Sequence, residues 1–236
     1  MEDPLRTVIS LALAIFVLPL LAQTAEELPD TAALVTKLQA KYAPIYQKYA
    51  GFETTRDFTT KTYDPETGKL LSTARTVVRK KEYFYKEPDS TVISHEENGK
   101  KLDPDDYDTT EIEPFWPLFD DKSAEHYDFR VSGTATVEGR NCILLEVTPK
   151  KNDHRHFKGN AYITVDTTEL LMIEGKPAKP HWAMKEFSVK YLYEPVGGGY
   201  CMKRGWFTAR VSVFLVRPDR RHVYEVSGSR TAPIPR

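Results

Sequence analysis

Two long strands joined by a glycine turn occupy residues 184–216, which read MKEFSVKYLYEPVGGGYCMKRGWFTARVSVFLV. Apolar and polar residues alternate on both sides of the turn, and this period of two is that of a β-strand with one buried face. The apolar faces consist of Phe187, Val189, Tyr191 and Tyr193 in the first strand and of Phe207, Ala209, Val211, Val213 and Leu215 in the second. A hairpin of two such strands predicts a large antiparallel sheet.

The same period of two recurs through most of the chain after Gly51. Turn sequences such as DPETGK at residues 64–69 and Asn98-Gly99 separate ten or so strands, and helical crossovers between parallel strands are missing from the pattern. Residues 101–125 contain three prolines and predict an irregular segment. We therefore predict a mainly β (α+β) fold, a large curved antiparallel sheet or unclosed β-barrel that forms a meander and ends in a frayed tail, TAPIPR.

One amphipathic helix is predicted before the first strand. Asp30 or Thr31 can cap it, and it extends to about Tyr49. Apolar residues recur at helical spacing and form a stripe that can dock on a sheet; they are Leu34, Leu38, Tyr42, Ile45 and Tyr49. Pro44 lies inside this pattern and predicts a kink or a break.

The N-terminus carries an export signal pattern. Residues 7–21, TVISLALAIFVLPLL, are uncharged and too short for a comfortable membrane span, but they fit the apolar core of a signal peptide. The alternatives are an uncleaved anchor and a buried N-terminal helix. We expect residues 1–22 to be a signal peptide, cleavage near Gln23 or Glu26, and a soluble protein in the periplasm.

Length and charge place few demands on partners. The chain has 236 residues with 40% hydrophobic and 28% charged residues, which is an ordinary globular balance. We expect one domain over residues 23–236 and a monomer. The formal net charge of −1 gives no electrostatic footprint for nucleic acid.

The inner face of the predicted sheet either holds a packed core or binds an apolar ligand. If a ligand binds there, the candidate contacts are Phe187, Val189, Tyr191, Phe207, Val211 and Val213. The candidate lid or cavity mouth is the aromatic segment, residues 115–119, which contains Phe115, Trp116, Leu118 and Phe119. The alternative for this segment is a loop anchor buried under the sheet edge.

Catalytic and metal-binding signals are weak. Cys142 and Cys201 could form one disulfide in an oxidising compartment or remain two small buried apolar residues. His154 and His156 lie on one side of a strand, but no third ligand has the spacing of a metal site, and a polar hairpin tip is the simpler interpretation. No nucleotide or hydrolase motif is present, so we predict no cofactor, no metal and no enzymatic activity.

Residues 127–195 resemble the LolA/LolB-like superfamily, in its outer-membrane lipoprotein-sorting-like members. The shared pattern is a Gly-Arg pair, an apolar strand ending in Pro-Lys, and a second strand ending in aspartate. The matching positions are Gly139, Arg140, Pro149, Lys150, Gly159, Ile163, Val165 and Asp166. The resemblance implies an unclosed β-barrel with helices as a lid and a hydrophobic cavity that takes acyl chains, although this chain has one helix pattern where the carriers have more.

Together, the residues and the resemblance predict an envelope protein that holds a lipid or the acyl chain of a lipid-anchored protein, with lipoprotein sorting as one such role. Burial of each CH₂ group contributes about 0.8 kcal/mol, so an acyl chain needs no charged contact. Two alternatives remain. One is an RseB-like envelope sensor that docks a protein partner, and the other is a structural envelope protein with a filled core.

Overall fold

The computed structural model describes residues 28–106, 115–180, 184–196, 199–213 and 217–236. The predicted signal peptide, residues 1–22, and the expected cleavage sites lie outside the described residues. Among the helices of the described part, none is long and apolar enough to cross a membrane.

Eleven antiparallel strands form one sheet, as the period of two predicts. They are β1 (Tyr49–Tyr63), β2 (Leu70–Tyr83), β3 (Asp89–Glu97), β4 (Lys100–Leu102), β5 (Tyr127–Val137), β6 (Arg140–Pro149), β7 (Phe157–Thr164), β8 (Leu170–Pro177), β9 (Met184–Val196), β10 (Gly199–Val213) and β11 (Arg217–Pro235). Two helices accompany them, α1 (Thr31–Lys48) and the one-turn α2 (Ser123–His126), with a 3₁₀ turn at Pro104–Asp106. The mainly β fold with an N-terminal helix is confirmed.

The strand order departs from a simple meander. It runs β4-β3-β2-β1-β11-β10-β9-β8-β7-β6-β5, so the last strand lies between β1 and β10. The expected frayed tail is wrong, because Thr231 pairs with Thr54 and Ile234 with Gly51 along β1. The backbone groups of β1 would otherwise lack partners on that side. The connection from β4 to β5 must therefore pass from one edge of the sheet to the other.

The sheet is curved and does not close into a barrel, because β4 and β5 remain its two edges. In a flat sheet β5 and β10 would lie five strand spacings apart, about 24 Å. Three successive ring contacts bridge them instead. Tyr200 of β10 lies 4.8 Å from Tyr42 of α1, Tyr42 lies 5.8 Å from Phe119, and Phe119 lies 5.7 Å from Phe129 of β5.

Helix α1 lies on the inner face, defined here as the concave face of the sheet. Asp30 caps it by accepting a hydrogen bond from the backbone N–H of Ala33 at 2.8 Å. Its buried residues are Leu34, Leu38 and Tyr42, and the Tyr42 hydroxyl accepts a 2.9 Å hydrogen bond from the N–H of Leu170. The helix continues through Pro44, so the predicted break does not occur. Docking against the sheet offsets the backbone hydrogen bond that proline cannot make.

Candidate functional site

The inner face of β9 to β11 is partly core and partly open. Phe187 and Val189 are buried with Ala209 in the main hydrophobic core. Next to them lies a group of half-buried side chains, which we call the apolar strip: Met184 and Tyr191 of β9, Phe207 and Val211 of β10, and Tyr224 of β11. The described backbone of Val213 belongs to β10, while its side chain and Leu215 lie outside the described part of the structure.

Strand register brings the apolar strip together. Phe207 pairs with both Val189 and Tyr224, and Val211 pairs with Met184. The rings of Phe207 and Tyr224 stack with centroids 4.2 Å apart, and Phe187 lies 6.3 Å from Phe207. One face therefore holds the sequence-predicted residues whose side chains the structure describes: Phe187, Val189, Tyr191, Phe207 and Val211. Tyr224 and Met184 were not among them, although Tyr224 alternates in phase with the buried Val226.

A buried ion pair lies on the same inner face. The guanidinium of Arg56 is in contact with the carboxylate of Glu82, with Nη2 2.6 Å from Oε2, and it also donates to the carbonyl oxygen of Met202. Burial disfavours the charge, but Glu82 outweighs this effect and raises the pKa of Arg56. Burial also raises the pKa of the Tyr191 hydroxyl well above its usual range, which keeps it neutral. Of these three side chains, Tyr191 is therefore neutral, and the charges of Arg56 and Glu82 are paired with each other.

The aromatic segment, residues 115–119, lies inside the curve of the sheet. Leu118 and Phe119 are buried, and Phe115 and Trp116 are half-buried against the core. Phe119 lies between Tyr42 of α1 and Phe129 of β5, and Phe115 lies 5.4 Å from Phe157. These contacts anchor one end of the connection between β4 and β5.

Trp116 is held on several sides. Its backbone N–H donates a hydrogen bond to the carbonyl oxygen of Arg155 at 2.9 Å, and its backbone carbonyl accepts one from the hydroxyl of Tyr127 at 3.1 Å. The ring of His126 stacks on the indole with centroids 4.9 Å apart, and the Arg155 guanidinium lies 3.8 Å from the indole centroid. A lid role for the segment would require these contacts to open, and it stays a prediction.

A relay of two histidines and an aspartate adjoins Trp116. Nδ1 of His156 lies 2.6 Å from Oδ1 of Asp153, and its Nε2 lies 3.2 Å from Nδ1 of His126. In the tautomer whose Nδ1–H donates to the Asp153 carboxylate, Nε2 of His156 can accept a hydrogen bond from the Nδ1–H of His126. Burial and the neighbouring His156 lower the pKa of His126. The sequence placed His156 at a polar hairpin tip, and its partner His126 could not be found from spacing because the two are thirty residues apart.

The two cysteines are free thiols, and both are buried. Cys142 of β6 packs with Leu171, Met172 and Leu192, and the Sγ of Cys201 of β10 lies 3.6 Å from Nη2 of Arg56. Three strands separate β6 from β10 in the sheet, whereas a disulfide needs its Cα atoms within about 7 Å. The disulfide considered from the sequence is not formed, and the alternative of two small buried residues describes the observed state.

Metal-binding side chains do not converge in the described residues, which contain no group of three His, Cys, Asp or Glu side chains placed to hold an ion. No protein-family model matches the chain, and no curated protein matches its sequence.

Comparison with solved structures finds distant similarities of fold. A DUF1329 family protein from Desulfovibrio piger is 13% identical with a TM-score of 0.42, and the match covers 85% of this chain and 90% of that one. An outer membrane lipoprotein-sorting protein domain from Vibrio parahaemolyticus is 12% identical with a TM-score of 0.44, covering 86% and 92%. A LolA superfamily protein from Nitrosomonas europaea is 8% identical with a TM-score of 0.41, covering 86% and 94%. The superfamily that residues 127–195 resemble is thus among the matched structures, and function has to be argued from the residues.

Proposed function

We propose that this protein binds the acyl chain of a lipid or of a lipid-anchored protein on the apolar strip. The observation that carries the proposal is the stacked pair of Phe207 and Tyr224, which is only half-buried beside the buried core. Helix α1 covers the inner face near the turn between β7 and β8, as its contact with Leu170 indicates. The strip lies further along β9 and β10, towards Met184 and Val211.

The chemistry of the strip suits an acyl chain. Its side chains are three aromatic rings, one thioether and one valine, and the hydroxyl of Tyr191 stays neutral. Each CH₂ group moved from water onto such a surface contributes about 0.8 kcal/mol, so micromolar binding requires burial of about ten methylenes or more, which a long acyl chain supplies. Non-directional apolar contact favours binding of a carried ligand rather than catalysis.

The N-terminal sequence supports the proposed location. The uncharged run at residues 7–21 supports export to the periplasm, where a lipid or lipid-anchored envelope protein is the expected partner. The proposal is of a binding protein without enzymatic activity, with transfer of its ligand within the envelope as the finer role.

The experiment is uptake of a fluorescent fatty acid by the purified protein and by Val211→Asn. The polar amide in the strip should weaken binding roughly 30-fold, because it must be desolvated when the chain binds. Ser188→Asn is the matched control, since Ser188 is exposed on the opposite face of β9. Binding should be unchanged in that control. No uptake by the parent protein would show that the inner face is only a core, and equal uptake by the parent and Val211→Asn would show that the fatty acid binds away from the strip. Either result overturns the proposal.

A further inference from the structure

The outer face of the sheet, opposite α1, carries a groove of about 540 Å³. It crosses β7 to β10 between two rows of outward-facing side chains. One row contains Lys158, Lys176, Ser188 and Thr208, and the other contains Asn160, Glu174, Lys190 and Trp206. The volume falls within the range of small-ligand sites in proteins.

The backbone between the rows is unusually close-packed. Gly159 of β7 lies directly opposite Gly175 of β8, and a methyl group on Gly175 would stand 2.2 Å from the carbonyl oxygen of Lys158. On the inner side the ring of Phe157 covers both glycines. This close packing brings the lysines of the two strands to the groove in a fixed register, with Lys158 paired to Lys176.

The groove has an excess of positive charge. Within the described part of the chain, Lys158, Lys176 and Lys190 form no ion pair, although other lysines such as Lys41 and Lys185 do. One carboxylate, that of Glu174, lines the groove, and it already accepts a 3.1 Å hydrogen bond from the hydroxyl of Tyr162. Three ammonium groups therefore face one engaged carboxylate, together with neutral donors on Asn160, Ser188 and Thr208.

An apolar cluster adjoins the groove on the same outer face. Trp206 lines the groove and also packs against the cluster of Cys142, Leu171, Met172 and Leu192. The four cluster residues are themselves buried, so the half-buried Trp206 is the apolar side chain that borders the lysines. Tryptophan beside basic side chains is found where proteins lie on a lipid surface. An acidic peptide is a poorer fit, because extended peptides add to the edge of a sheet and this groove lies on a face.

We propose that this groove binds the phosphate headgroup of an anionic lipid and so docks the outer face on a membrane surface. The inference is independent of acyl-chain binding, because the groove and the apolar strip lie on opposite faces of β9 and β10. Each lysine near an anionic membrane strengthens binding several-fold, and the three together should contribute roughly a hundredfold.

The test is co-sedimentation with phosphatidylcholine vesicles that contain or lack phosphatidylglycerol. The parent protein should bind only the anionic vesicles, and the triple variant Lys158→Gln, Lys176→Gln, Lys190→Gln should bind roughly a hundredfold more weakly. A control with the same loss of charge is Lys69→Gln, Lys100→Gln, Lys101→Gln, because these lysines are exposed near the far edge of the sheet. The control should bind like the parent.

Two further measurements separate the explanations. Fatty-acid uptake should be the same in both triple variants and the parent, which distinguishes failure of the groove from failure of the apolar strip. Glycerol 3-phosphate, added without vesicles, tests for a soluble ligand through a change in the intrinsic tryptophan fluorescence of the protein. The proposal is overturned if the parent does not bind anionic vesicles, if both triple variants lose binding equally, or if the parent binds glycerol 3-phosphate but not the vesicles.

Discussion

The side chain of Arg56 crosses the glycine at position 228 of β11 to reach the backbone of Met202 on β10. A methyl group on Gly228 would lie 2.6 Å from Nη1 of Arg56, so only glycine leaves room for this path. The arginine side chain is 1% exposed, whereas that of its partner Glu82 is 30% exposed. One buried charge thus ties β1, β2 and β10 together across β11.

Removal of the carboxylate of Glu82 should destabilise the fold strongly. Glu82→Gln leaves a guanidinium buried without its counter-charge, and we expect the free energy of unfolding to fall by about 3–5 kcal/mol. Asp57→Asn is the matched control, because Asp57 pairs with Arg75 on the outer face, where the arginine is 66% exposed. That exposed pair should contribute far less, because solvent screens its charges. Urea denaturation measures both, and equal losses would contradict the buried-charge argument.

Two glycines on the inner face should differ in their tolerance of alanine. Gly175→Ala would place its methyl group against the backbone of Lys158, which cannot move without disturbing the ladder, so a loss of about 2–3 kcal/mol is expected. In Gly205→Ala the nearest atoms are Cγ1 of Val226 at 2.7 Å and Sδ of Met202 at 2.9 Å, both on side chains. Side chains can shift, so its loss should be smaller. Thermal unfolding ranks the two variants, and the reverse ranking would count against this packing.

Core and strip should respond differently to the same polar substitution. Val189 is 2% exposed, so Val189→Asn buries an amide and should lower the free energy of unfolding by roughly 3 kcal/mol. Val211 is half-buried on the strip, and Val211→Asn should cost less than about 1 kcal/mol. Denaturation midpoints check this contrast. A similar large loss at both positions would mean that Val211 belongs to the core.

The two thiols should be protected in the folded protein. Burial raises the pKa of Cys142, and both sulfurs are withdrawn from solvent. A thiol reagent should therefore react with neither cysteine in the native protein and with both after denaturation without reductant. Detection of fewer than two reactive thiols in the denatured, unreduced protein would indicate an oxidised pair.

Local patterns predicted most elements, because each depends on neighbours in sequence. The helix predicted from Asp30 to about Tyr49 is observed at Thr31–Lys48, and alternation correctly placed Phe187, Val189 and Phe207 on one face. The position of β11 between β1 and β10 could not be predicted in this way. Hairpin turns fix which strands pair locally, whereas the pairing of Thr54 with Thr231 depends on tertiary closure.

The site was predicted less completely than the fold. Arg56 carried a readable signal, since it alternates in phase with Phe52 and Phe58 on an otherwise apolar or small-polar face, but its partner Glu82 lies on the next strand. The pair of histidines could not be predicted for a similar reason, because His126 and His156 meet only when the end of α2 and the turn before β7 are brought together.

The relay beside Trp116 should make stability depend on pH in two separate ranges. Burial opposes ionisation of Asp153, but hydrogen bonds from His156 and from the N–H groups of Arg155 and His156 lower its pKa below 3.8. Its contribution is present above pH 3.8 and is lost as the pH falls through the lowered pKa. Within this group of three side chains, His126 is expected to contribute nearer neutrality.

His126 should supply part of that change. Its pKa in the folded protein is lowered from 6.5 by burial and by His156, while Asp120 and Glu125 oppose the shift and Lys151 adds to it. Below pH 6.5 the unfolded chain binds a proton that the folded chain resists, so stability falls as the pH falls towards the lowered pKa.

We therefore expect His126→Phe to flatten the pH dependence of unfolding below pH 6.5 while its ring keeps the stack on Trp116. His222 is the comparison, because burial also lowers its pKa, and its ring lies beside Thr62 and Tyr224, away from the relay. His222→Phe should remove the part of the pH dependence that His222 contributes, and the double variant should lose both contributions, since distant sites act additively. Urea midpoints across this pH range measure each slope. If His126→Phe keeps the same dependence of stability on pH as the parent protein, His126 does not titrate with the lowered pKa expected for it.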